Sequence, residues 1–463
     1  MAVHATQHTA AGLVLLLLAS AALAQTPIAP ATADDQTAPS PPSIASSLGA
    51  FGDPGGVRAA LREKGVAYSL NYVGEVFGTV HGGLKRGAVY EGKLELQVDI
   101  DFEKLTGLSG LAFHANAVQI HGRGPTRHTV GNLMTISNIE ALPATRLVEL
   151  WLEQALFDGA LSVRAGEMAA DSEFLISDTA SLFINGTFGW PPTTSANLPA
   201  GGISYPWATP GVRVKLVPAP GVAILAALFN GDPSGGSSGE PLRHNRHGTH
   251  FPLHNAPFLI AEASWAYNQG KAGLPGTIKA GGWHHFGRFD DRRFAIDGPP
   301  LADPASSGIA RRHRGNTGFY AIADQMLWRM PDGDRNIAAF VRVSTSPGDR
   351  NEVSFYADGG VTFKGALAGR PDDIAGIAFG YSRISKRARD RDRDARAADP
   401  TSPIRSGEFL IEATYQAQIV PGWSVQPDVQ YIRRPGGGTP HPLHPPHRIK
   451  DAVAIGLRTT IQY

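Results

Sequence analysis

The 463-residue chain has no cysteine. That excludes disulfides, thiolate metal sites and a cysteine nucleophile in one step. An oxidising compartment stays open, because a large fold can do without covalent cross-links. Net charge is nearly absent: 42 Lys and Arg against 41 Asp and Glu leave +1, so bulk charge gives no case for nucleic-acid binding. Beyond the N-terminus no apolar run approaches about 18 residues, which excludes a transmembrane helix. No Gly-x-Ser-x-Gly elbow, Walker loop or His-Glu-x-x-His occurs. No enzyme activity, cofactor or metal is expected. His244, His247, His250 and His254, like His441, His444 and His447, have ligand-like spacings but no clear acidic partner. The run DRDRD (390–394) has Ala395 and Thr401 where a calcium loop needs Gly and Glu, and reads as a solvated charge run.

Helices are scarce as well. One is expected within 49–65, with Asp53 as N-cap, Pro54 at the first position and Gly65 as the stop. Residues 11–23, AGLVLLLLASAAL, end in the small-residue pattern Ala22-Leu23-Ala24 and read as a signal peptide cleaved before Gln25, although the preceding segment lacks Lys and Arg. Residues 25–48, rich in Pro, Ala, Thr and Ser, read as a flexible linker.

What the chain does have is alternation. KLELQVDIDF (93–102) sets Leu94, Leu96, Val98, Ile100 and Phe102 against Glu95, Gln97, Asp99 and Asp101. The same period of two recurs in about sixteen segments of roughly ten residues between 66 and 463. Their connections alternate short and long. VPAPG, LAGRPDD and VPG are tight, whereas 169–209, 231–257, 288–317, 386–406 and 435–450 are long. With the C-terminus in the periplasm, all five long loops fall on one external side, as in an outer-membrane up-and-down barrel. A soluble sandwich has no reason to sort its loops this way. The last strand, DAVAIGLRTTIQY, ends in an aromatic residue, similar to the terminal signature read by barrel-assembly machinery.

FGWPPTTSANLPAGGISYPWATPGVRVKLVP (188–218), GNTGFYAIADQMLWR (315–329), VSFYADGGVTFKGALAGRPDD (353–373) and EATYQAQIVPGWSVQPDVQYIRRPGGG (412–438) resemble the carbohydrate-selective porins of the OprB type, in the order that family has them. The resemblance spans about 48–463. It implies a sixteen-stranded outer-membrane barrel passing glucose and other monosaccharides by facilitated diffusion, embedded in lipid, as a monomer or homotrimer. The alternatives are a general porin without sugar preference and a soluble exported glycan-binding β-protein.

In a barrel the polar residues of each strand face the lumen. The expected pore lining is therefore Glu95, Gln97, Asp99, Glu149, Trp151, Glu153, Arg164, Trp283, His285, Arg342, Tyr356 and Asp358, with Val148, Leu150 and Leu152 outside. Rings suit the C–H face of a pyranose, and charged or amide groups suit its hydroxyls. The loop 169–209 carries Phe174, Leu175, Ile176, Leu182, Phe183, Ile184, Phe188 and Trp190, too apolar for a solvated loop. It is expected to fold into the lumen, with Asp171 and Glu173 near the constriction.

Overall fold

A computed structural model describes residues 43–463 apart from 236–239, 271–272 and 332–334. The expected signal peptide, and the linker as far as residue 42, lie outside the described residues. The alternating segments become β1 (Val66–Gly83), β2 (Gly87–Asp101), β3 (Leu111–Gly122), β4 (Ala144–Leu156), β5 (Leu161–Met168), β6 (Thr209–Ala219), β7 (Val222–Asn230) and β8 (Pro257–Tyr267). They continue as β9 (Gly276–Ala295), β10 (Ala310–Arg329), β11 (Asn336–Thr345), β12 (Val353–Lys364), β13 (Ile374–Ile384), β14 (Gly407–Val420), β15 (Trp423–Arg433) and β16 (Lys450–Gln462). Each pairs antiparallel with its sequence neighbours. β16 closes on β1 in a register running from Asn71↔Gln462 to Gly83↔Lys450. Closure leaves the barrel without a free edge, so every strand's backbone groups find partners within the wall.

The side-chain pattern is that of a barrel with an apolar outside. Val212, Val214, Val341, Val343, Ile377, Phe379, Ile455 and Leu457 are exposed, while Arg342, Glu412 and Gln430 are completely buried. The greasy face of KLELQVDIDF follows suit, with Leu94 and Leu96 exposed. Lipid is the solvent in which this inversion lowers free energy.

The N-terminal helix is Val57–Glu63. The Asp53 carboxylate accepts from the amides of Arg58 at 2.8 Å and Ala59 at 3.0 Å, and Gly65 turns with a φ of 87°. The helix meets the chain end: Tyr463 Oη donates to the Gly52 carbonyl at 2.8 Å, and the Arg58 guanidinium lies 4.8 Å from the Tyr463 ring centroid.

Three local expectations are corrected. First, the interval 288–317 is not all loop. β9 runs on to Ala295 and β10 starts at Ala310, because Asp290 pairs across to Arg312. Second, DRDRD is no free charge run. It lies in a helix, Lys386–Ala398, capped by Ser385. Asp390 and Asp394 bind Arg293 of β9, and Asp392 binds Arg405. Third, Val148 points inward. Asn116 pairs with Glu149 and Ala117 with Leu147, leaving Val148 as the extra residue of a bulge. It is buried with Val118 and Ile120.

Candidate functional site: the pore lining

Two segments from the long-loop end enter the barrel. One is the connection β5–β6 (169–208). Its Phe174, Leu175, Trp190, Leu198 and Ile203 pack on Phe229, Phe258, Trp283, Tyr320 and Ile322 of β7 to β10. The other is the connection β3–β4 (123–143). Its Val130, Met134 and Ile136, with Phe183, Ile184 and Phe188 of the first, pack on Phe340, Leu410, Ile432, Ala452 and Phe77. Glycine makes room at one contact: a Cβ at Gly318 would stand 2.4 Å from the Trp283 ring.

Inward-facing polar groups of this wall hold the loop backbones. Glu262 accepts from Leu175 N at 3.1 Å, Asp324 from Thr179 N at 3.1 Å, and Glu412 from Ile184 N and Asn185 N at 2.6 and 3.0 Å. Glu408 does the same for the second segment, through Leu133 N at 2.8 Å and Met134 N at 2.7 Å. Carbonyls are met by cations: Lys279 Nζ donates to Ile176 O at 2.8 Å, and Arg342 donates to Leu175 O at 2.8 Å and Thr187 O at 2.9 Å. Arg342 also pairs with Asp358, whose Oδ2 accepts from Tyr356 Oη at 2.8 Å. A loop inserted without such partners would leave buried amides and carbonyls unsatisfied.

The opposite stretch, β2 to β6, is clad in part: Val118, Ile120 and Val148 pack on Ala169 and Ala208 of the loop, and Glu149 accepts from Ala169 N at 3.0 Å. Its other polar groups largely bind one another. Lys93 donates to Glu95 at 2.9 Å, Asn116 Nδ2 to Glu95 at 3.2 Å, Gln97 Nε2 to Asp99 at 2.9 Å, and His114 Nδ1 lies 2.7 Å from Asp99. Lower in the sequence of strands, Arg164 Nε donates to Glu153 at 2.8 Å. Arg213 links Glu153 at 3.0 Å to Glu173 of the inserted loop at 2.7 Å. The carboxylates of this network keep contact with solvent, whereas Arg213 and His114 are buried. The side chains of Glu95, Glu153 and Glu173 are 17%, 19% and 20% exposed and Asp99 is 46%, against 0% for both Arg342 and Asp358.

Asp171 sits where the loop leaves β5. It accepts from Tyr205 N at 2.9 Å, and burial pushes its carboxyl up to about 7. A cavity of about 140 Å³ opens between the two inserted segments, lined by Ser137, Asn138, Glu140, Asp171, Trp190 and Ser204 among others.

A barrel with loops latched inside its lumen is a porin's architecture, and comparison with known proteins decides the family. The sequence profile described as carbohydrate-selective porin, OprB family, matches residues 85–463. The chain belongs to this family. It is an OprB-type porin of the bacterial outer membrane, passing carbohydrates by facilitated diffusion. Porin B of Pseudomonas aeruginosa is 27% identical over 412 residues, covering 84% of this chain and 87% of that one. The high-pH structure of Pseudomonas putida OprB superposes with a TM-score of 0.77 at 23% identity, covering 89% of this chain and 97% of that one. The low-pH structure of the same protein gives 0.55 at 17% identity, over 91% and 99%.

Within this porin the expected lining divides. Glu95, Gln97, Asp99, Trp151, Glu153, Arg164 and Glu173 lie together on or against the β2–β6 wall, and Glu149 of the same wall is buried against the loop, accepting from Ala169 N at 3.0 Å. Trp283, His285, Arg342, Tyr356 and Asp358 also turn inward but are covered. Trp283 is 3% exposed under Trp190's loop, and His285 is spent on Gly231 O at 2.9 Å. Trp151 offers no free ring face, because His114 of β3 stacks on it at 4.7 Å and Arg164 of β5 lies 3.6 Å from its centroid. The sequence reading omitted Lys93, His114 and Arg213. It also omitted the inserted segment 123–143, whose Val130, Met134, Ile136 and Ile139 carry the same apolar signal that betrayed 169–209.

Proposed function

We propose that sugars cross along the β2–β6 wall, in the part of the lumen the inserted segments leave open. The observation carrying this reading is the solvent contact retained by Glu95, Asp99, Glu153 and Glu173, where the opposite wall's polar groups are sealed. A ladder of paired acids and bases suits a neutral polyol. Each carboxylate keeps lone pairs for a hydroxyl donor, Lys93 and Arg164 donate to hydroxyl oxygens, and the buried Arg213 holds Glu153 and Glu173 in place. Mutual pairing lowers the fixed charge a passing solute meets, and so argues against strong ion selection. Recognition here rests on planar polar groups, with ring stacking subordinate. Glu173, at the foot of the loop, faces this route with the ladder, while the Asp171 carboxylate beside it anchors the loop through Tyr205 N. Delivery would run through cleavage before Gln25 and insertion by the barrel-assembly machinery through the β16 face that ends in Tyr463.

Planar-bilayer conductance with glucose as blocker tests the route. Glu95→Gln with Asp99→Asn should weaken glucose block several-fold while leaving single-channel conductance within about twofold. Unchanged block in that pair would move the sugar path elsewhere.

A further inference from the structure

At the long-loop end, where β1 meets β16, a cavity of about 630 Å³ is lined by Lys85, Arg86, Arg448 and Lys450, together with four histidines and the exposed Leu443. No Asp or Glu among the described residues lines it. Among the described residues none of the four cations forms a salt bridge; Arg448 donates to the Ile404 carbonyl at 2.8 Å and the other three stay exposed. In a chain whose formal charge is only +1, four unneutralised cations around one cavity are a concentrated positive field. The fold holds them together: His441 lies 3.0 Å from the Leu84 carbonyl, tying the 440–448 hairpin to the β1–β2 turn.

Part of the cavity's lining lies on the outward row of the wall, since Val453 alternates with the fully buried Ala452 and Ala454. His81, part of its lining, pairs across to Val453, which pairs in turn to Tyr431. Tyr431 is an exposed aromatic on the outer face, as is Tyr90 on β2. Aromatic rings at that height mark the membrane–water boundary. The cations therefore stand at the headgroup level of the external leaflet, beside Leu443, which is 79% exposed. An apolar side chain next to unpaired cations at this depth complements a lipid with phosphate in its headgroup and acyl chains below it.

We propose that this rim cavity docks a lipid of the external leaflet with phosphate in its headgroup, the phosphate held by Lys85, Arg86, Arg448 and Lys450. The inference is independent of the sugar route, which lies on another part of the barrel.

The test uses the full-length porin in detergent micelles. Binding of a bisphosphorylated glycolipid is compared with that of its dephosphorylated form, for wild type and for a variant carrying Lys85→Gln, Arg86→Gln, Arg448→Gln and Lys450→Gln. Wild type should bind the phosphorylated lipid on the order of a hundredfold more tightly than the dephosphorylated one. The preference should fall steeply with salt and vanish in the variant, whose single-channel conductance and glucose block stay unchanged. Equal binding of both lipids by wild type overturns the proposal without reference to the variant. Full displacement of the phosphorylated lipid by millimolar glucose phosphate also overturns it, and assigns the cavity to free anionic solutes.

Discussion

Two walls of one barrel use the same alternation for opposite ends. From β7 round to β1 the inward face meets two inserted loops, and its acids and bases bind loop amides and carbonyls. From β2 to β6 the cover is partial: Glu149 still accepts from Ala169 N of the loop at 3.0 Å, but Glu95, Asp99 and Glu153 keep contact with water and bind neighbours on the wall. Glu412 and Glu153 are both glutamates at lumen-facing positions. One is completely buried and holds Ile184 N and Asn185 N; the other keeps 19% exposure between Arg164 and Arg213. Facing the lumen is thus not the same as lining the pore. What separates them is whether an apolar loop segment has covered the wall.

The largest way to break the contrast is to remove the cover. Deleting 175–200 should turn the clad wall into open lumen and raise single-channel conductance several-fold, with glucose block lost. Unchanged conductance would refute the loop's role in narrowing the pore. Next comes Arg342→Ala. It frees two loop carbonyls and strands Asp358 in a buried site, an imbalance worth roughly 3–5 kcal/mol in comparable pairs. The expected outcome is a lower unfolding temperature together with noisy, larger conductance steps as the loop detaches. Arg342→Ala with Asp358→Ala should recover part of the stability, since no charge is then left unpaired, but not the quiet channel.

A smaller effect concerns pH. Asp171 is buried at the foot of the loop with its folded pKa raised to about 7 from 3.8. For such a group the folded state binds more protons than the unfolded state between these values. Its contribution to stability is therefore present at low pH and lost as pH rises from about 4 to about 7, with no further change above. Asp171→Asn should flatten the wild-type fall in unfolding temperature over that window. An identical slope in both proteins would remove Asp171 from the pH response.

The sixteen strands were legible because period-two alternation with turn residues between is local information, and the loop parity followed from spacing alone. The insertion of 169–209 was legible from its eight large apolar residues. The identity of the open wall was not. Trp283 and Trp151 look alike in sequence, each flanked by alternating neighbours. Only the fold places one under Trp190's loop and the other between His114 and Arg164. Val148 escaped for a related reason: a bulge shifts register by one residue, and nothing in RLVELWLEQ marks where it falls. The helix at 386–398 hid in a run of charges, because its stabilising partners, Arg293 and Arg405, lie outside it in sequence.

The subtlest contrast is between two roles for an aromatic ring on the β2–β6 wall. If Trp151 bound sugar through its face, truncation would abolish block. Its faces are occupied, by His114 at 4.7 Å and by the Arg164 guanidinium at 3.6 Å, so its work is to hold those two side chains in place. A cation over an indole contributes about 0.5–1 kcal/mol where exposed and more when desolvated. Trp151→Ala should therefore loosen Arg164, whose guanidinium still has Glu153 and Glu173, and weaken glucose block only about two- to fivefold. Trp151→Phe, which keeps a flat ring between the same neighbours, should restore most of it. Complete loss of block in both variants would return the indole to direct sugar contact and redraw the ladder around it.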